Sequence, residues 1–238
     1  MALYLAVRWI YFFVTTLVTL IAADLYDALG VPFVALVSVL VVLLTAVYFV
    51  LVDRAFRGLQ ALLPAGRSIY DRTFWRHERF WKVAATGYIQ IFNGTPFKNV
   101  LWRLLGVRIG RRVFDDGCYL PERSFVAIGD GCTLNAGSKI WCHSQEDGAF
   151  KSDRIAIGAG CTLGVGAFVH YGVTMGDGAV IAPDSFLMKG EEVPQREWWG
   201  GNPASKMRAI PAHSPTEALR ASTAVLDKNL AAMKAGEQ

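Results

Sequence analysis

Seven apolar residues stand six positions apart without a slip: Ile157, Leu163, Val169, Met175, Ile181, Leu187 and Val193. The residue after each of the first four is small or polar (Gly158, Gly164, His170, Gly176). The fifth residue of most hexads is compact: Cys161, Ala167, Val173, Ala179, Ser185. An earlier run keeps the step at Ile128, Leu134 and Ile140, with Cys132 and Ser138 in the compact slot. Helices repeat near 3.6 residues and strands at 2, so neither accounts for a period of six. Such a period predicts a parallel β-helix, each coil burying its apolar residues against the coils above and below. The coils start at Ile109-Gly110 and run to about Val193. The step from Ile109 to Ile128 is one position longer than three hexads, which predicts a bulged corner between them.

The register breaks once more. From Cys142 to Asp153 there is no clear hexad, and register returns at Ile157, one position earlier than three whole hexads after Ile140 would put it. Most side chains in the break ionise or hydrogen-bond. Local rules tend to fail where a protein displays functional groups, so this is the first place to look for chemistry.

The N-terminal pattern is different. From about Ala2 to Ala23 the only charge is Arg8, and from Val31 to Val52 there is none. Each stretch has the roughly 20 residues a helix needs to cross a bilayer. The acidic turn between them, Asp24 to Pro32, cannot stay in hydrocarbon. A signal peptide cleaved after Ala22-Ala23 fits less well, because its n-region is poor in charge and a second full span follows. These runs account for a hydrophobic content of 53% and a mean hydropathy of +0.32, too apolar for an ordinary soluble domain.

The flanks set an orientation. Residues 53–82 carry Arg54, Arg57, Arg67, Arg72, Arg76, Arg79 and Lys82 against Asp53, Asp71 and Glu78. The turn between the spans has two acids and no base. The positive-inside bias therefore predicts a multi-pass protein of the cell membrane, with both termini and the repeat domain in the cytoplasm. The formal net charge of +4 is mostly this juxtamembrane cluster, which reads as facing membrane lipid, not nucleic acid. Phe74, Trp75, Phe80 and Trp81 are interleaved with these bases. Two readings stay open for this stretch: interfacial helices, or a helix packed on the base of the β-helix.

The expected organisation is two transmembrane α-helices, then a parallel β-helix, then a C-terminal α-helix. Residues 1–52 form the transmembrane hairpin and 53–106 a basic, aromatic juxtamembrane segment. Residues 107–210 are the β-helix and 211–238 the C-terminal helix. Trp198 to Ala204 is a tight closing loop. Ser214-Pro215-Thr216-Glu217 is a capping box that opens a helix to about Lys234, placed to cap the coil stack. Cys132 and Cys161 fall in compact interior slots, and Cys118 and Cys142 show no metal-binding spacing. The cysteines suit a reducing compartment.

His143 leads the candidate residues. It stands three positions past inward-facing Ile140, where a coil turns a corner, and an imidazole can take a proton near neutral pH. Glu146 and Asp147 follow and would orient it. Lys151 offers a cation for a developing oxyanion. Asp153 lies three hexads, one full coil, after Asn135, so the two would stack on one face if no bulge intervenes. His170, followed by Tyr171, is either a second site residue or a surface group. His77 reads as structural and His213 as solvated. A metal hydratase needs three converging imidazoles. His143 and His170 are one and a half coils apart and no third histidine lies in the coils, so no metal is expected.

The coils resemble those of hexapeptide-repeat acyltransferases, and the segment Gly201-Asn202-Pro203-Ala204-Ser205-Lys206 resembles their usual close. That likeness implies a left-handed β-helix. It also implies trimeric packing, with substrates held between neighbouring helices. A longer stretch resembles the membrane-embedded C-terminal region of single-module non-ribosomal peptide synthetases of the ε-poly-lysine synthetase type. The matching segments are Gly94 to Phe97, Arg103 to Arg112, Leu134 to Ser138, His143 to Asp147, Phe150 to Asp153, Met188 to Glu191 and Trp199 to Ala204.

This resemblance implies a condensation unit that forms peptide or isopeptide bonds at the cytoplasmic membrane face. The donor would be an aminoacyl thioester on the phosphopantetheine arm of a carrier domain. Its residues would be His143, Glu146, Asp147 and Lys151 in catalysis, with Glu146 and Asp147 orienting His143 or binding the ammonium of the incoming amino acid, and Asn135, Asp153, His170 and Tyr171 in substrate binding. The implied partners are carrier and adenylation domains, in cis or in trans, and other β-helix units in a homotrimer or pseudo-trimer. Those synthetases put adenylation and carrier domains ahead of three repeat units, whereas this sequence holds one unit. The alternatives are an O- or N-acetyltransferase using acetyl-coenzyme A, and a silent unit that only completes a trimer.

Overall fold

A computed structural model describes residues 2–59, 65–72, 74–75, 78 and 87–207. His77, Phe80, Trp81, His213 and the expected C-terminal helix lie outside the described residues.

Helix α1 runs Ala2–Asp24 and α2 runs Tyr26–Leu59, with a break at Gly30 (φ 68°) just before Pro32. Both are long and apolar enough to cross a membrane, and only 11% and 17% of their most apolar windows are buried. A core helix of a soluble protein would hide such side chains, yet Trp9, Phe13 and Val31 are each at least 64% exposed. The two helices pack on one another through Tyr11 Oη and Thr45 Oγ1 (2.8 Å) and through Tyr48 Oη, which donates to the Val7 carbonyl (2.8 Å). α2 does not stop at residue 52; it continues past Asp53, and Phe49 stacks on Tyr88 at 5.6 Å.

The hexads form the expected parallel coils. One face aligns Ile109, Ile128, Ile157, Met175 and Val193. A second aligns Asp115, Leu134, Leu163, Ile181 and Trp199. The third aligns Ile140, Val169 and Leu187. None of the seven residues from Ile157 to Val193 is more than 4% exposed. Burial of each such side chain stabilises by roughly 1.5–3 kcal/mol. The compact slot has its own cause: Cys161, Ala167, Val173, Ala179 and Ser185 are at most 2% exposed and leave no room for bulk. At Gly164 the next coil comes so close that a Cβ would lie 2.4 Å from the Pro183 nitrogen.

Helix α3 (Pro96–Leu104) closes the lower end of the stack. The inward slot above it holds Asp115 instead of an apolar residue. Asp115 is buried but fully engaged: Lys98 Nζ donates to Oδ1 (2.7 Å), Trp102 Nε1 to Oδ2 (2.6 Å), and the Gly117 and Cys118 amides to Oδ1 (3.0 and 2.8 Å).

The long register break is not a coil one position short. Ile128 pairs with Ile157, and Ile157 with Met175, so the first of these turns is longer than the regular one by eleven positions. The extra length forms an antiparallel hairpin of strands His143–Glu146 and Ala149–Ser152. Its turn is Asp147-Gly148, both at positive φ (51° and 70°), the backbone of a two-residue primed turn. Ala65–Ser68 adds to Ala149–Ser152 as a third strand. Phe74 is buried against Phe150 (5.4 Å), so this part of the juxtamembrane segment packs on the repeat domain.

Candidate active site

The hairpin and the third face enclose an open cleft of about 590 Å³ lined by Glu78, Tyr119, Trp141, His143, Ser144, Gln145, Phe168 and His170. His143 is 5% exposed and sits between Trp141 (5.3 Å) and Phe150 (5.5 Å). Its Nδ1 meets Glu122 Oε1 at 2.5 Å. Its Nε2 accepts from Trp141 Nε1 at 3.1 Å. An indole N–H can only donate. Nε2 therefore carries the lone pair and Nδ1 the proton, an assignment made from the hydrogen-bond network. The second oxygen of Glu122 accepts the Cys142 amide (3.0 Å), which fixes the carboxylate in place.

Glu122 is 1% exposed and was not among the residues expected in the site. It occupies the bulged corner, after Tyr119, which bridges to Lys139 on the third face, and immediately before a short 3₁₀ turn at Arg123–Phe125. The residues expected to orient His143 are elsewhere. Glu146 forms an ion pair with Lys189 of a later coil. Alternation along the strand puts Glu146 on the pleat face opposite His143. Lys189 holds the Glu146 carboxyl below its usual range by hydrogen bonding. Asp147 supplies the turn backbone. Lys151 pairs with Ser144 across the hairpin, is exposed and does not line the cleft.

His170 does enter the cleft, although its distance in sequence from His143 would be one and a half regular coils. The hairpin lengthens that coil, so His170 aligns with Trp141 on the third face. It is 7% exposed, its Nδ1 accepts the Tyr171 amide (3.0 Å), and burial pushes its pKa down. Tyr171 lies edge-on to His170 at 4.8 Å. Asn135 and Asp153 do not stack. Asn135 is in register with Gly164, and its Nδ2 donates to the Leu163 carbonyl (2.8 Å). Asp153 is exposed and accepts the Arg154 amide (2.7 Å). Ser144, by contrast, lines the cleft with a buried hydroxyl that has no hydrogen-bond partner among the described residues. Nothing in its hexad position would have singled it out.

The hexapeptide repeat of succinyl-transferase matches residues 154–183. In these residues the chain is similar to hexapeptide-repeat acyltransferases. A delta-poly-L-ornithine synthetase of Acinetobacter baumannii (strain AB307-0294) is 32% identical over 122 residues. The match takes in 51% of this chain and 9% of that protein, so the chain spans less than a tenth of its relative's length. Among solved structures, a maltose O-acetyltransferase from Clostridium difficile 630 is similar at 18% identity and a TM-score of 0.46, covering 63% of this chain and 94% of that one. A hexapeptide-repeat acetyltransferase from Vibrio cholerae O1 biovar eltor, complexed with acetyl-coenzyme A, is similar at 19% identity and a TM-score of 0.43, covering 53% and 85%.

Proposed function

We propose that this chain is a membrane-anchored condensation unit that joins an amine to an aminoacyl thioester. The observation that carries the reading is the Glu122-held imidazole of His143 in an aromatic-walled cleft. The relative named as a poly-ornithine synthetase supports amide formation over other acyl transfers. The β-helix is read as left-handed and as one unit of a homotrimer or pseudo-trimer. The apolar helices are read as spanning the cell membrane, in contact with its lipid, with the cleft on the cytoplasmic side. The donor is a phosphopantetheine thioester presented by a carrier domain, in cis or in trans with its adenylation domain.

In this reading the acceptor amine displaces the Trp141 indole from His143 Nε2. The amine nitrogen attacks the thioester carbonyl and the carbon–nitrogen bond forms. Nε2 takes the amine proton, and the Glu122 carboxylate steadies the resulting imidazolium through Nδ1–H. The carbon–sulfur bond then breaks and the thiol leaves with the proton. The oxyanion falls to Ser144 Oγ or the freed Trp141 N–H, both in the cleft, with exposed Lys151 left to the rim. His170 lines the acceptor side, with Tyr171 edge-on to it. Asp153 accepts the Arg154 amide and Asn135 donates to the Leu163 carbonyl, each a local bond to backbone. A placed base contributes about 10²–10⁴ in rate.

The test is acyl transfer by the purified membrane protein, with an aminoacyl-phosphopantetheine carrier and with acetyl-coenzyme A as rival donors. Turnover with the carrier alone, lost in His143→Ala, supports the reading. Turnover with acetyl-coenzyme A alone makes the chain an acetyltransferase. Retained activity in His143→Ala removes His143 from the mechanism.

A further inference from the structure

We propose that Asp53, near the end of the second apolar helix, is a positioning residue for the active site, so that this helix sets the geometry of the imidazole it is joined to. The proposal rests on the reading of His143 as the base. Asp53 and Arg123 form an ion pair of 2.6 Å between side chains only 0% and 1% exposed. Arg123 is the next residue after Glu122 and opens the 3₁₀ turn that follows it. Glu122 in turn holds His143 Nδ1 and the Cys142 amide. A continuous set of contacts thus leads from α2 to the imidazole, joining residues 70 positions apart in sequence at its first step.

A buried ion pair adds little net stability compared with an apolar pair of the same shape. It does fix geometry, because separating the charges leaves one uncompensated in the interior. The surroundings reinforce this. Tyr88 stacks on Phe49 of α2, and burial pushes its hydroxyl up to about 12, so it adds no compensating charge. If the Asp53 charge is removed, an unneutralised guanidinium sits beside Glu122 in the chain. It competes with the imidazole for that carboxylate.

The test uses the full chain in lipid nanodiscs with the carrier-bound donor. Asp53→Asn is expected to lower kcat by about 10- to 100-fold with KM nearly unchanged, since only transition-state geometry is affected. Asp53→Glu is expected to recover most of the loss. In a Glu122→Gln background Asp53→Asn should cost no more than about threefold, because residues acting through one contact are not additive. Normal kcat in Asp53→Asn, or fully multiplicative losses with Glu122→Gln, overturns the proposal. Should Asp53→Asn fail to fold, Arg123→Lys takes its place: it keeps the charge and loses the guanidinium geometry, and full activity there overturns the proposal as well. His143→Ala is run alongside. If it is active the base reading fails; if it is inactive while Asp53→Asn is normal, only the positioning role fails.

Discussion

Glu122 lies 21 residues before His143 in sequence and touches its Nδ1 at 2.5 Å. This contact fixes the tautomer that leaves Nε2 open for a proton. Glu122→Gln keeps the shape and removes the charge that steadies the imidazolium. We expect kcat to fall by about 10²-fold or more with the donor KM little changed, measured by single-turnover acyl transfer.

Glu146 and Asp147 predict the opposite outcome. Glu146 is a partly exposed partner of Lys189, and exposed ion pairs contribute little. Glu146→Gln is expected to keep activity within about threefold of wild type, since the carboxylate lies off the acid–base pathway. Asp147 sits at φ 51°, where asparagine is tolerated and a β-branched residue is not. Asp147→Asn should be silent, and Asp147→Val should cost roughly 1–2 kcal/mol in urea unfolding.

Asp115 tests the base of the coil stack. Replacing it with alanine leaves the Lys98 ammonium, 2% exposed, without its carboxylate. A cost of roughly 3–5 kcal/mol is expected. The double change Asp115→Leu with Lys98→Met should recover most of it, because it removes both charges together. Thermal unfolding of wild type and the two variants in detergent decides this.

His170 predicts a pH dependence. Burial lowers its pKa from 6.5 in the native state, so the unfolded chain binds the extra proton more readily. Its contribution to stability is complete above 6.5 and is lost as pH falls from there through the native value. The unfolding temperature should drop across that window, and His170→Gln should flatten the drop. An unchanged profile in the variant would assign the dependence to other groups.

The period of six was enough to predict that Ile128, Leu134, Ile140 and the seven residues from Ile157 to Val193 line the interior, because stacked coils impose one local rule at every turn. The apolar runs likewise predicted two long helices, since composition and length alone govern that property. The position of His143 at a broken register was also legible. Asp147-Gly148 between two short polar strands carried the hairpin signal, but the hexad count alone read that stretch as a shortened coil.

The partners of His143 were not legible. Glu122 is hidden in the bulged corner that the extra position between Ile109 and Ile128 announced without naming its occupant. Glu146 and Asp147 are nearer in sequence, but Glu146 is taken up by Lys189 and Asp147 by the turn. Asp53 gives no sign in sequence of reaching Arg123. Sequence proximity constrains a side chain only within one element. Which acid meets which base is decided by where the inserted hairpin and the end of a helix come to rest against the coils, and packing settles that between residues far apart in the chain.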